Sequence, residues 1–238
     1  MATAVGEGCP LRACMVRDVT HAAASAPPGA ALPAQQTVSA ETMPQAIAGL
    51  ATYATTKMDL RHPVWLFKYP EALAAALEQD GPPDVIGFSH YIWNSQLSLA
   101  FAELVKRRFP HTTVVFGGPH YPLHLPDQTD FWHQRLAGKV DFYVEGEGEP
   151  AFADLLLTFN DFDRKEVRGT ISGAHNLHDD GILYTRPPRL RIHNLSSVPS
   201  PYLAGLMDEF FDGMHPRLTA ARAEWAARTD TTTNAEAA

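Results

Sequence analysis

Apolar residues along this chain fall into two alternating patterns. Short runs without polar interruption, PVWLF (63–67), DVIGFS (84–89), TTVVFGG (112–118) and VDFYVEG (140–146), read as buried strands. Between them lie stretches with helical spacing. MPQAIAGLATYA (43–54) is the first, PEALAAALEQ (70–79) opens with Pro70 in its first turn and stops before Gly81-Pro82-Pro83, and SQLSLAFAELVKRRF (95–109) ends in a basic turn. Another helix is predicted from about Glu149 to Thr158.

Strands of this kind separated by helices predict an α/β fold: a flavodoxin/Rossmann-like doubly wound parallel sheet. Ligand loops in such sheets collect at the carboxyl ends of the strands. One strand is harder to place. A first strand should precede the first helix, and the apolar candidate, RACMV around 13–16, is short and distant from Met43. Either the sheet starts one strand short, or that strand is poorly formed.

After Asn160 the pattern changes. VRGTISG (167–173) and ILYTR (182–186), joined through His178-Asp179-Asp180-Gly181, predict a small C-terminal β-hairpin with an Asp-Gly turn. PPRLRIHNLSSVPSPYL (187–203) reads as a Pro-punctuated linker, and AGLMDEFF as a short linker helix. The expected organisation is a mostly irregular segment at 1–42, an α/β domain at 43–160, a hairpin with linker and docking segment at 161–213, and a tail at 214–238. The stretch at 18–42 is rich in Ala, Pro, Ser and Thr, and AARAEWAAR near the end can form a helix before a disordered TDTTTNAEAA.

Composition narrows the function. Of the 238 residues 45% are hydrophobic and 19% charged, a globular balance, and the net charge of −8 argues against nucleic acid or an anionic membrane as partner. The two cysteines, Cys9 and Cys14, suit a cytoplasmic setting and form no zinc pattern. No apolar run is long enough to span a membrane.

Three strand ends carry chemistry. Ser89, His90, Tyr91, Trp93 and Asn94 bring a hydroxyl, an imidazole, aromatic faces and an amide into one loop. Gly117, Gly118, Pro119 and His120 let a ligand approach the backbone closely. Glu145, Gly146, Glu147 and Gly148 form an acidic, flexible loop opening a helix. Each has a plainer explanation, Ser89 as a helix cap, Trp93 as core and the glycines as a tight turn. It is their shared position at adjacent strand ends that points to one ligand.

With these motifs (PDVIGFSHYIWN, LAFAELVKRRFP, VVFGGPHYP and VDFYVEGEGEPAFADLL) the chain resembles the cobalamin-binding domain that precedes the core of cobalamin-dependent radical SAM enzymes. LSSVPSPYLAGLMD is similar to the linker that follows it, so the resemblance covers roughly residues 43 to 210. It implies that cobalamin lies over the strand ends with its nucleotide tail between sheet and helix. Ser89 then matches the serine that hydrogen-bonds the buried tail base, and Gly117-Gly118, 28 residues on, the pair that makes room for the tail. Gly146, Glu147 and Gly148 match the last binding loop, and Tyr91 stands where the family usually has Leu.

Two departures qualify the likeness. Family members that ligate cobalt from below use Asp-x-His-x-x-Gly, whereas Val38 to Met43 holds no His, and Asp18-Val19-Thr20-His21 has the wrong spacing. Base-off binding without a lower His ligand is therefore expected, with His90 and His120 as polar contacts and no residue assigned to a metal. The Cys-x-x-x-Cys-x-x-Cys run of a radical SAM cluster does not occur. This implies a module without an iron–sulfur cluster of its own, related to methyltransferases and dependent on a radical SAM subunit in trans. Two competing readings remain, a nucleotide-sugar-dependent transferase on the same sheet and a non-binding interaction remnant. The first lacks a P-loop or a Gly-x-Gly-x-x-Gly turn.

Overall fold

A computed structural model describes residues 13–16, 43–57, 64–161, 166–188 and 191–211. Seven strands form one sheet in the order β2-β1-β3-β4-β5-β6-β7. They are β1 (Ala13–Val16), β2 (Val64–Phe67), β3 (Val85–Ser89), β4 (Thr113–Gly117), β5 (Phe142–Val144), β6 (Ala174–Leu177) and β7 (Leu183–Tyr184). The first five run parallel, and β6 and β7 are antiparallel additions at one edge.

The uncertain first strand is present, and its place matters. β1 pairs with β2 on one side and β3 on the other, so the sheet begins ahead of residue 43. The chain leaves β1 toward β2, then crosses back to β3, and this reversal makes a crevice at the carboxyl ends of β1 and β3.

Helices cover both faces, and the side-chain period of two sorts the strands between them. Val85, Val115, Phe142 and Val144 pack with α1 (Gln45–Thr52) and α5 (Gly148–Asp161). Ile86, Phe88, Val114, Phe116 and Tyr143 pack with α2 (Pro70–Gln79), α3 (Ser95–Arg108) and the segment around Trp132 and Leu136. Ile86, Val114, Phe116, Trp132, Leu136 and Tyr143 are wholly buried. At about 1.5–3 kcal/mol per large apolar side chain, the two layers are the main stabilising contribution. At the strands' amino ends, Lys106 meets Asp141 at 2.9 Å while Asp141 accepts the Val114 N–H, tying α3 to β4 and β5.

Three elements differ from expectation. Residues 125–136 form α4 (Leu125–Phe131) and a π-helical turn (Trp132–Leu136), which the sequence reading passed over. The first hairpin strand is β6, not VRGTISG. Gly169 and Gly173 adopt φ of +70° and +77°, so 166–173 is a run of turns, and the strand starts one residue later. The expected linker helix AGLMDEFF is instead a series of turns and a short 3₁₀ piece (Asp208–Phe210), because Gly205 sits at φ +78°. This segment is not loose: Met207 is fully buried against the α1–α5 layer, with Tyr202 and Leu206 beside it. The Ala/Pro-rich stretch at 18–42 and the tail from Ala220 lie outside the described residues.

Candidate functional site

At the carboxyl ends of β3, β4 and β5 a cavity of about 510 Å³ opens between the sheet and the α1–α5 layer. Its floor follows from strand alternation. Gly87 and Ser89 on β3, Val115 and Gly117 on β4, and Val144 on β5 share the face that looks toward α1 and α5. Two of these five positions have no side chain, which is why a hollow exists in an otherwise close-packed layer. Ala46, Ile47 and Leu50 of α1 and Phe152 of α5 form the opposite wall.

Ser89 is 8% exposed, and its hydroxyl is buried without a hydrogen-bond partner. It does not cap α3. A buried, unmatched hydroxyl costs roughly 1–3 kcal/mol, so a polar ligand group at this point has a ready partner.

The glycine pair divides its labour. A Cβ on Gly117 would stand 3.5 Å from the Val144 carbonyl oxygen, an ordinary contact, so nothing in the protein forbids a side chain there. Gly118 has φ +126°, and its Cβ would come within 2.7 Å of the His90 carbonyl oxygen. Gly117 keeps the cavity open, whereas Gly118 lets the loop pass over His90.

The loop after β3 is braced by Asn94, whose side chain accepts the Tyr91 N–H at 2.8 Å and donates to the Ser89 carbonyl at 2.8 Å. Tyr91 borders the cavity, and Trp93, 41% exposed, stacks on it at 4.5 Å. His90 points the other way. It is wholly buried with Phe116 and Tyr143, and its Nδ1 lies 3.3 Å from the Tyr143 hydroxyl. That hydroxyl donates to the Gly118 carbonyl, so Nδ1–H is the donor and Nε2 is left without a partner. Burial, then the charges of His120 and Arg135, push the His90 imidazole down to about 3. It is a neutral core group. His120 packs edge-on against it, 4.9 Å away.

The acidic loop after β5 also splits. Gly146, Glu147 and Gly148 border the cavity, while Glu145 turns to the opposite face. There its carboxylate meets His175 Nε2 at 3.2 Å and Gln128 Nε2 at 3.3 Å. Trp132 N–H donates to the Tyr121 hydroxyl at 2.8 Å, and that hydroxyl meets His175 Nδ1 at 3.0 Å. Burial holds His175 below the ordinary imidazole range although Glu145 pulls the other way, so this is a chain of hydrogen bonds around a neutral ring.

Of the thirteen residues singled out from sequence, Ser89, Tyr91, Gly117, Gly118, Pro119, Gly146, Glu147 and Gly148 border one cavity. His90, Trp93, Asn94, His120 and Glu145 support it from outside. Sequence reading missed Gly87 and the α1 wall. A glycine inside an apolar strand was the available signal for the first. No cluster of three or more His, Cys, Asp or Glu residues is placed to hold a metal ion among the described residues. None of the described helices is long and apolar enough to cross a membrane.

A doubly wound sheet with a cavity at the carboxyl ends of its strands places that cavity where open α/β sheets bind ligands. Residues 56–156 match the family described as the B12 binding domain. The chain is 36% identical over 155 residues to the 2-(S-pantetheinyl)-carbapenam-3-carboxylate methyltransferase of Streptantibioticus cattleyicolor, a match covering 63% of this chain and 20% of that protein. It is 33% identical over 150 residues to the cobalamin-dependent radical SAM methyltransferase TokK of Streptomyces tokunonensis, with the same two shares. A UPF0313 protein of Thermotoga neapolitana is 30% identical over 95 residues, 36% of this chain and 17% of that protein. The chain thus spans about a fifth of the length of the two methyltransferases it matches.

Proposed function

We propose that this chain binds cobalamin in the base-off form, with the nucleotide tail in the cavity between the sheet and the α1–α5 layer. The unmatched Ser89 hydroxyl on the cavity wall carries this reading. Ser89 would hydrogen-bond the tail base, Gly87 and Gly117 would leave it room, and Ile47, Leu50 and Phe152 would pack on its flat faces. Tyr91, braced by Trp93 and Asn94, would form one edge of the mouth, with Gly146 to Gly148 as the other. Neither His90, turned into the opposite core, nor His120, packed on it, would serve as a ligand to the cobalt.

When bound, cobalamin supplies a cobalt centre able to carry a methyl group. The residues here orient the cofactor and keep its tail dry. The partner that uses it is a radical SAM module, which must bring its own cluster, since the 238 residues hold only Cys9 and Cys14 and no three-cysteine run. Incubation with hydroxocobalamin followed by gel filtration tests the reading. Retention of one equivalent with a base-off absorption spectrum supports it, and colourless protein at micromolar concentration refutes it. A melting temperature raised by a nucleotide sugar but not by cobalamin would favour a transferase instead.

A further inference from the structure

The loop at 145–148 presents a puzzle. It carries two carboxylates at the mouth of a cavity proposed to take a phosphate-bearing ligand, where acids would repel. Both turn out to be engaged elsewhere. Glu145 donates its backbone N–H to the Gly173 carbonyl at 2.8 Å and its side chain accepts from His175 and Gln128. Glu147 accepts the Ile192 N–H at 2.7 Å through Oε2 and meets Arg191 Nε at 3.1 Å through Oε1. Between them Gly146, at φ +75°, lies under Pro188, its absent Cβ only 3.6 Å from that ring. Pro188 also covers Gly173, whose N–H donates to the Arg186 carbonyl at 3.0 Å.

Apart from Gln128, every one of these partners comes from β6, from the chain after it, or from Gly173 immediately before it. The antiparallel addition to the sheet therefore reaches back over the last binding loop. We propose that Glu145 and Glu147 are positioning residues: their carboxylates pin the rim loop to His175 and to the Arg191–Ile192 backbone, so that the loop offers its glycines to the ligand instead of its charges. The inference rests on the cobalamin reading for the identity of the ligand, while the pinning itself is a property of the free protein.

Glu147 is the position to test, because its side chain is about one-third exposed and its loss does not threaten the core. Glu147→Ala removes both contacts, whereas Glu147→Gln keeps an acceptor for the Ile192 N–H. Ile192→Pro removes the donor from the other side without altering the rim loop. Cobalamin dissociation, followed by absorbance in a chase with excess competing corrinoid, should quicken about tenfold in Glu147→Ala and in Ile192→Pro, the effect expected for one charge-assisted hydrogen bond. The double variant should be no faster than either single one, and Glu147→Gln should stay within about threefold of the parent. A parental rate in Ile192→Pro beside a fast Glu147→Ala would show that Glu147 touches the ligand itself, and would overturn the proposal. If the parent takes up no cobalamin, the functional reading fails. The pinning is then judged on the ligand-free protein by amide exchange at 146–148, where faster exchange in both single variants supports it and unchanged exchange refutes it.

Discussion

The two adjacent glycines give the sharpest perturbation, because the structure assigns them opposite consequences. Gly117→Val places a β-branched residue in a parallel strand, where the new Cβ meets only Val144 atoms at 3.5 and 3.7 Å. Glycine inside a strand costs roughly 0.5–1 kcal/mol, so the fold should be unharmed or slightly firmer. The remaining methyls must enter the cavity. Overpacking a filled site costs about 1–3 kcal/mol, which is about 5- to 150-fold in Kd for a ligand that packs there. Gly118→Ala does the reverse. A residue with a Cβ at φ +126°, driven to within 2.7 Å of the His90 carbonyl, must move β4's loop or strain it. Strain of about 1–3 kcal/mol corresponds to roughly 2–12 °C in Tm for a chain of this size. Thermal melting of the ligand-free variants and absorbance titration with hydroxocobalamin read the two effects separately. The reasoning is refuted if Gly117→Val binds like the parent, or if Gly118→Ala melts at the parental temperature.

Other expectations follow from single groups. Ser89→Ala should leave the ligand-free protein as stable or slightly more so, since it deletes an unmatched buried hydroxyl, and should weaken cobalamin about tenfold in the same titration. His90 is neutral in the fold, with its pKa lowered from 6.5 to about 3, so the unfolded chain binds the extra proton between those values. Stability is therefore full above pH 7 and falls on acidification, by about 2 kcal/mol from this group between pH 8 and pH 5; urea unfolding at the two pH values measures it, and His90→Phe should remove that share. Met207→Ala should cost about 2–5 kcal/mol in urea unfolding, because the turns at 201–211 pack into the same layer as α1 and α5.

How far the sequence alone leads depends on whether local pattern or distant pairing decides each element. The run PEALAAALEQ, stopped by Gly81-Pro82-Pro83, holds its own start and stop signals, and α2 spans those same ten residues. β3, β4 and β5 are continuous apolar runs, and their ends locate Ser89, Gly117 and Gly146. β1 is different. Four residues have little local signal, and their place between β2 and β3 comes from pairing on both sides. The turn at 125–136 was obscured by Pro126 and by polar residues such as Gln128, which is buried for its hydrogen bonds to the Pro122 carbonyl and Glu145. In the candidate site, sequence position showed which loops converge but not which way alternate residues face. Ser89 and His90 are neighbours in the chain, yet strand alternation sends one to the cavity and the other into the opposite core. The likeness in sequence put both in the binding loop, Ser89 at the tail base and His90 as a polar contact.

The central claim is that the slot beneath the strand ends receives a nucleotide arm. Comparing cobalamin with cobinamide, which has the corrin but no nucleotide, tests it most directly. Equilibrium titration of the same protein with each should show cobalamin bound at least about 100-fold more tightly, the preference being reduced in Ser89→Ala and Gly117→Val. Equal affinity for the two corrinoids would mean that the tail stays outside the cavity, and would contradict the account.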